Sequence, residues 1–179
     1  MPFNGKSGKF NASINTVEFG CGDKAVKIGG ENVFPLYSFD AAIENAPKVG
    51  IEITDFGMEH EPECIKKYYE GCATLADMAR KAASMEGVDF LSFRMEGGDP
   101  NGANKSTEEL IGELKEISDA VDLPLVVCGC KNVEKDAELF SKAAEALNGK
   151  NAVILSAKEE NYKTVGAAAG LAYKQVVGA

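Results

Sequence analysis

Hydrophobic positions change rhythm twice along this chain. Residues 10–37 alternate apolar and polar side chains through FNASINTVEFG and CGDKAVKIGGENVFPLY. That period of two predicts two short antiparallel strands. Their junction is expected near Gly20–Asp23, where glycine tolerates the positive φ of a hairpin turn. Beyond Pro47 the pattern becomes strand, loop, helix, repeated. Apolar strands are predicted at Val49–Phe56, Val88–Met95, Leu123–Gly129 and Asn151–Ala157. Helices are predicted between them: Cys64–Glu86 with Leu75, Met78, Ala79 and Ala82 on one face, Thr107–Ala120, Lys135–Leu147, and Tyr162–Val177. In the second, Leu110, Ile111, Leu114 and Ile117 form the three-and-four stripe of an amphipathic helix.

Near-continuous apolar strands alternating with helices indicate a parallel α/β sheet buried on both faces. Polar residues gather at the strand ends, where βα loops build sites. A closed (β/α)8 barrel takes about 250 residues, whereas this chain carries four units. With Val176-Val177-Gly178-Ala179 expected directly after a helix, the fourth strand should lie exposed as an edge. The division is residues 1–47, an amino-terminal segment with the hairpin, and residues 48–179, read as the amino-terminal half of a barrel ahead of a small open four-stranded domain.

Composition narrows the function. The 179 residues carry 28 acidic and 19 basic side chains, a net charge of -9. Such a balance offers no basic footprint for nucleic acid. No apolar run approaches the roughly 18 to 20 residues of a membrane span, and MPFNGKSGKF lacks a signal peptide's apolar core. Five cysteines, odd in number and without a CxxC pair, read as free thiols in a reducing cytoplasm.

The loop Arg94-Met-Glu-Gly-Gly-Asp-Pro-Asn-Gly-Ala-Asn104 offers turn-forming glycines with Asp99, Asn101 and Asn104. It suits a small polar ligand or the amide arms of a cofactor, or else caps the next helix. Cys128-Gly-Cys130 closes the third strand; its thiols are expected to point apart, Cys128 buried and Cys130 towards the loop. Paired zinc cysteines are usually separated by about two to four residues. Cys64 and Cys72, eight apart on one predicted helix, would lie about 12 Å apart along its axis. An iron–sulfur cluster held by this chain is therefore not expected. His60, the single histidine, sits in the acidic stretch Met58-Glu-His-Glu-Pro62 and is read as a solvated loop residue beside Glu59, Glu61 and Glu63. The chain has no GxGxxG, no GxxxxGK and no Ser-His-Asp elbow.

Three strand-end motifs, SFRMEGGDPNG, VVCGCKNVEKDAEL and VILSAKEENYKTVGAAA, together with VFPLYSFDAAIENAPKVGIEITDF, resemble the small (delta) subunit of the corrinoid iron–sulfur protein. That protein belongs to the acetyl-CoA synthase/decarbonylase (CO dehydrogenase/acetyl-CoA synthase) complex. The similarity runs from about Asn11 to the end of the chain. It implies a TIM barrel paired with a larger subunit that bears the [4Fe-4S] cluster and the corrinoid (cobalamin). It also implies transient contact with a pterin methyltransferase and with acetyl-CoA synthase as cobalt carries a methyl group between them in the reductive acetyl-CoA (Wood–Ljungdahl) pathway. The family's later strands are absent here. On this resemblance Asp99, Asn101, Cys130, Asn132, Asn161 and Tyr162 are the expected corrin-facing residues, as amide and hydroxyl partners without proton-transfer roles. The hairpin would be a partner contact or a plug at the barrel's bottom. Two other functions fit the same residues: a stand-alone pterin-binding methyltransferase domain, and a purely architectural subunit.

Overall fold

The computed structural model describes residues 11–33 and 43–179. Most of the VFPLYSFDAAIENAP stretch lies outside them. The predicted hairpin is present: β1 (Val17–Phe19) and β2 (Val26–Ile28) pair antiparallel, Phe19 opposite Val26, around a 3-10 turn at Gly22–Lys24.

Five parallel strands follow, β3 (Gly50–Thr54), β4 (Phe90–Arg94), β5 (Leu125–Cys128), β6 (Val153–Leu155) and β7 (Val176–Val177), adjacent in chain order. Sequential order is the winding of a barrel wall, as opposed to a doubly wound sheet, which reverses direction at a switch point. The architecture is α/β and compatible with part of a TIM-like fold.

Three expectations are corrected. The Cys64–Glu86 helix is two helices, α1 (Glu63–Tyr68) and α2 (Leu75–Ala83). Gly71, with φ of 87°, breaks the first. Thr74 then starts the second by a reciprocal capping box: its hydroxyl accepts from the Asp77 amide, and Asp77 accepts from the Thr74 amide. The last helix likewise stops early. α5 (Tyr162–Val165) runs into a π-helical segment, Gly166–Ala172, and the chain then turns into β7. The fourth predicted strand is therefore not an edge, since Val153 and Ile154 pair with Val176 and Val177. The turn is fixed by Gln175, whose buried side chain accepts from the Ala152 amide (2.6 Å) and donates to the Leu147 carbonyl (2.9 Å).

α3 (Thr107–Ala120) and α4 (Val133–Ala146) complete the helical layer. Met78, Ala79, Leu110, Leu114, Ile117, Leu139 and Phe140 pack on the alternate strand positions Ile53, Leu91, Phe93, Val127 and Ile154, forming one core. The opposite sheet face is covered differently from the expectation of burial on both sides. There Phe19 and Val26 of the hairpin pack with Val126 and Cys128 in a smaller cluster flanked by Phe90 and Val153. Phe19 meets Phe90 edge-to-face, ring centroids 5.8 Å apart. The Gly20 amide donates to the Asn151 carbonyl, and a side chain at Gly20 would collide with Pro124. The hairpin thus plugs the bottom of this face, at the strands' amino-terminal ends. Glu52, Ser92 and Arg94, nearer the carboxyl ends, stay partly solvated because no element lies over them among the described residues.

Candidate functional site at the carboxyl ends of the strands

Two buried carboxylates shape the loops above the sheet, and sequence reading passed over both. Asp55, just after β3, has a fully buried side chain whose two oxygens accept from the Gly97 amide at 2.9 and 3.1 Å. A Cβ on Gly97 would overlap that carboxylate, so only glycine permits the approach. Lys105 neutralises it (Nζ–Oδ2 3.1 Å) and also reaches Glu113 at 3.2 Å. Burial alone would lower the Lys105 pKa, but hydrogen bonds to Asp55 and Glu113 outweigh it and hold it raised. Burial pushes Glu113 up. Asp136, on α4, plays the matching role one loop along: it accepts from the amides of Cys130 (2.7 Å) and Lys131 (3.1 Å) and from the Cys130 thiol (3.2 Å). Lys131 is thereby held at φ of 74°, a left-handed conformation unusual outside glycine.

Between these pinned loops lies a cavity of about 330 Å³ lined by Arg94, Glu96, Asp99, Asn101, Gly129, Cys130, Lys131 and Asn132. Four of the six expected site residues therefore converge there. Asp99 Oδ1 accepts from the amide of Asn101 (2.9 Å) and from its side chain (3.2 Å), which folds the loop over. Asn132 caps α4 by accepting from the Lys135 amide. The Cys130 thiol packs in the helical core, while Cys128 belongs to the hairpin side. The thiols do point apart, but strand alternation is not the reason, because residues two apart on a strand share a face. The strand ends at Cys128 and the chain turns. Both thiols are buried, and Cys130 lies at the loop end, where it lines the cavity. Burial pushes the Cys130 thiol up to about 11, and the adjacent Asp136 carboxylate acts in the same direction.

Asn161 and Tyr162 stand apart from this cavity. Asn161 is buried and accepts from the Lys158 amide while donating to the Val133 carbonyl, joining the fourth loop to the start of α4. Tyr162 is 52% exposed, with the Lys163 ammonium 5.8 Å from its ring centroid. His60 is exposed with its ring edge-on to Phe56. No cluster of three or more His, Cys, Asp or Glu side chains able to hold a metal occurs among the described residues. No helix among them is long and apolar enough to cross a membrane.

On the uncovered sheet face just below the cavity, Glu52 takes Arg94 in a two-point ion pair, Nε–Oε1 2.9 Å and Nη2–Oε2 2.8 Å. The hydrogen bond to Glu52 raises the Arg94 pKa further. Ser92 Oγ donates to Glu52 and lies 3.5 Å from Cys128 Sγ, extending the network over three strands. A signal for the pair existed in the sequence: Glu52 and Arg94 are charges at same-face positions of otherwise apolar strands.

A family model described as "CO dehydrogenase/acetyl-CoA synthase delta subunit" matches residues 16–179. The acetyl-CoA decarbonylase/synthase complex subunit delta of Methanothermobacter thermautotrophicus is 31% identical over 170 residues, covering 93% of this chain and 43% of that protein. The corresponding subunit of Methanocaldococcus jannaschii is 30% identical over 165 residues, 88% of this chain and 40% of that protein. That of Archaeoglobus fulgidus is 30% identical over 142 residues, 77% and 30%. The chain spans less than half the length of these relatives. With a match that begins at the hairpin and runs through all five parallel strands, the chain belongs to the CO dehydrogenase/acetyl-CoA synthase delta subunit family.

Proposed function

We propose that this chain is the amino-terminal portion of a TIM-barrel small subunit of a corrinoid iron–sulfur methyl carrier. In this reading it pairs in the cytoplasm with a larger subunit that bears the corrinoid and the cluster. The observation that carries the reading is the polar cavity at the carboxyl ends of β4 and β5, in a chain of this family. Its lining fits the periphery of a corrin ring, whose arms end in primary amides. Each amide presents one carbonyl acceptor and two N–H donors. The cavity answers with donors on Arg94 and Lys131 and acceptors on Glu96, Asp99 and Asn101. At about 330 Å³ it takes peripheral arms of such a group and not the whole ring.

The corrinoid, when bound, supplies the cobalt that accepts and yields the methyl group, so the hard chemistry is the cofactor's. This chain's residues bind and orient. Asp55 and Asp136 hold the two loops at fixed height by accepting their amides. Asp99 and Asn101 fold the first loop over the cavity. The raised pKa of Cys130 keeps it a neutral thiol at physiological pH, so it adds no charge to the cavity lining. No lining group is set up as a proton-transfer catalyst.

The test is native size-exclusion of the full-length protein from its source cells, following corrinoid absorbance and the intact mass of each chain. Co-elution with a larger corrinoid-bearing subunit is expected. Elution alone and colourless would overturn the proposal.

A further inference from the structure

One of the cavity's two cations is fixed in a way that selects among ligands. Arg94 stands at the carboxyl end of β4, where it both lines the cavity and reaches back across the sheet to Glu52 on β3. Register makes the reach diagonal: Arg94 lies beside Thr54, and Glu52 beside Ser92. The carboxylate takes Nε and Nη2. Nη1, with two N–H groups, has no hydrogen-bond partner among the described residues. A guanidinium is a planar fork with five donors and no acceptor, so clamping one edge aims the others. The Arg94 side chain is 28% exposed and that of Glu52 42%. The pair is half in water, and its use as a stability element alone is small. Other exposed pairs link neighbours three apart on one helix, such as Lys66–Glu63 and Lys142–Glu145, or the two strands of the hairpin, as Lys27–Glu18 does. This one joins two strands beneath a polar cavity.

We infer that Arg94 is a ligand-binding residue that donates from Nη1 to a carbonyl oxygen of a primary-amide arm, and that Glu52 is the positioning residue that aims it. The inference rests on the function proposed above and deepens it by naming the group recognised. The amide's own N–H groups then have acceptors in the same lining, where Asp99 keeps Oδ2 available while Oδ1 is engaged by Asn101. A carboxylate in the amide's place would meet Arg94 equally well but would repel Asp99 and Glu96. A hydrocarbon arm would leave the guanidinium edge unmatched. The site thus favours a neutral group that both accepts and donates.

The experiment uses the full-length protein and measures its affinity for the larger subunit in corrinoid-loaded and corrinoid-free forms, by calorimetry. Wild type is expected to prefer the loaded form. Arg94→Gln is expected to lower that preference about tenfold, the scale of one hydrogen bond to a charged donor, while affinity for the corrinoid-free subunit is unchanged. Glu52→Gln is expected to lower it less, since the guanidinium remains but is less firmly aimed. The double variant Glu52→Gln, Arg94→Gln forms a neutral amide pair of similar shape; it is expected to melt like wild type and still lack the preference. Loss of affinity for both forms together, or an unchanged preference in Arg94→Gln, overturns the inference and leaves the proposed function standing. So does a wild type that binds both forms equally. Failure of wild type to bind either form overturns both.

Discussion

A single thiol illustrates how much residue type leaves open. Cys130 is 6% exposed, beside a carboxylate that accepts from its Sγ, whereas Cys21 and Cys64 are exposed. The thiolate is the reactive form. At pH 8 a thiol with a pKa of about 11 is charged in about one molecule in a thousand, so burial and pKa act together. Iodoacetamide at pH 8 is therefore expected to modify Cys21 and Cys64 readily and to leave Cys130 untouched until the protein unfolds, as peptide mass spectrometry would read. The same shift links to stability. Folding favours the neutral thiol, so its contribution is fully present below pH 9 and is lost as pH rises towards about 11. The sequence shows Cys-Gly-Cys but not this asymmetry, which comes from burial in the folded core, with Asp136 six residues on acting in the same direction. Asp55 and Lys105 were equally hidden. Each is an ordinary polar residue in its own segment, and only the 50-residue separation closed by the fold brings them together.

Elements were more legible where a local signal and tertiary packing agree. α3 has the predicted bounds because Ser106 caps it and Leu110, Leu114 and Ile117 bury one face. The break between α1 and α2 was missed because the apolar face at Leu75, Met78, Ala79 and Ala82 was extended backward over Gly71. The Thr74-x-x-Asp77 spacing was the available start signal. β7 was hidden for a different reason. Two valines after an alanine-rich helix carry no strand period, and what converts them is Gln175, whose amide serves groups on β6 and α4. Gln175→Leu removes those bonds and leaves the Ala152 amide buried without an acceptor. A loss of about 2 to 3 kcal/mol in urea unfolding is expected, on the scale of one stranded buried donor plus lost bonds. Faster hydrogen exchange at the Val176 and Gly178 amides should accompany it, as both donate to the neighbouring strand.

At the scale of the molecule, the two faces of the sheet have separate guardians. Helices α2 to α4 bury one, and the hairpin buries the bottom of the other. Half of that second face is polar because Glu52, Ser92 and Arg94 point where the strand-end site is. The alternation of strands and helices revealed the first layer at once. The second could not be read from it, since an antiparallel hairpin says nothing of which surface it will cover. Phe19→Ala tests the plug. Removing a buried aromatic ring typically costs about 3 to 5 kcal/mol. Near the lower figure is expected here, because the vacated space opens to solvent beside Phe90. Its signature should be uneven, with exchange of the Gly20 amide accelerated far more than that of the helical core.

The plug also sets an order of events during synthesis. Gly20 is bonded to Asn151, and the Asn151 side chain donates to the Glu18 carbonyl 133 residues earlier. The hairpin leaves the ribosome before the strands it covers, and its seat is complete only when Asn151 and β6 have been made. At roughly 5 to 20 residues per second that interval is on the order of ten seconds. Closing so long a loop also costs about 4 kcal/mol of chain entropy, which the sheet removes in stages by pairing β3, β4, β5 and β6 in sequence. Made early, the hairpin is therefore the late latch of the nascent chain. Until it closes, Phe90, Val126 and Cys128 lie open to whatever meets the emerging protein, so the interval before closure is when a chaperone has most to shield.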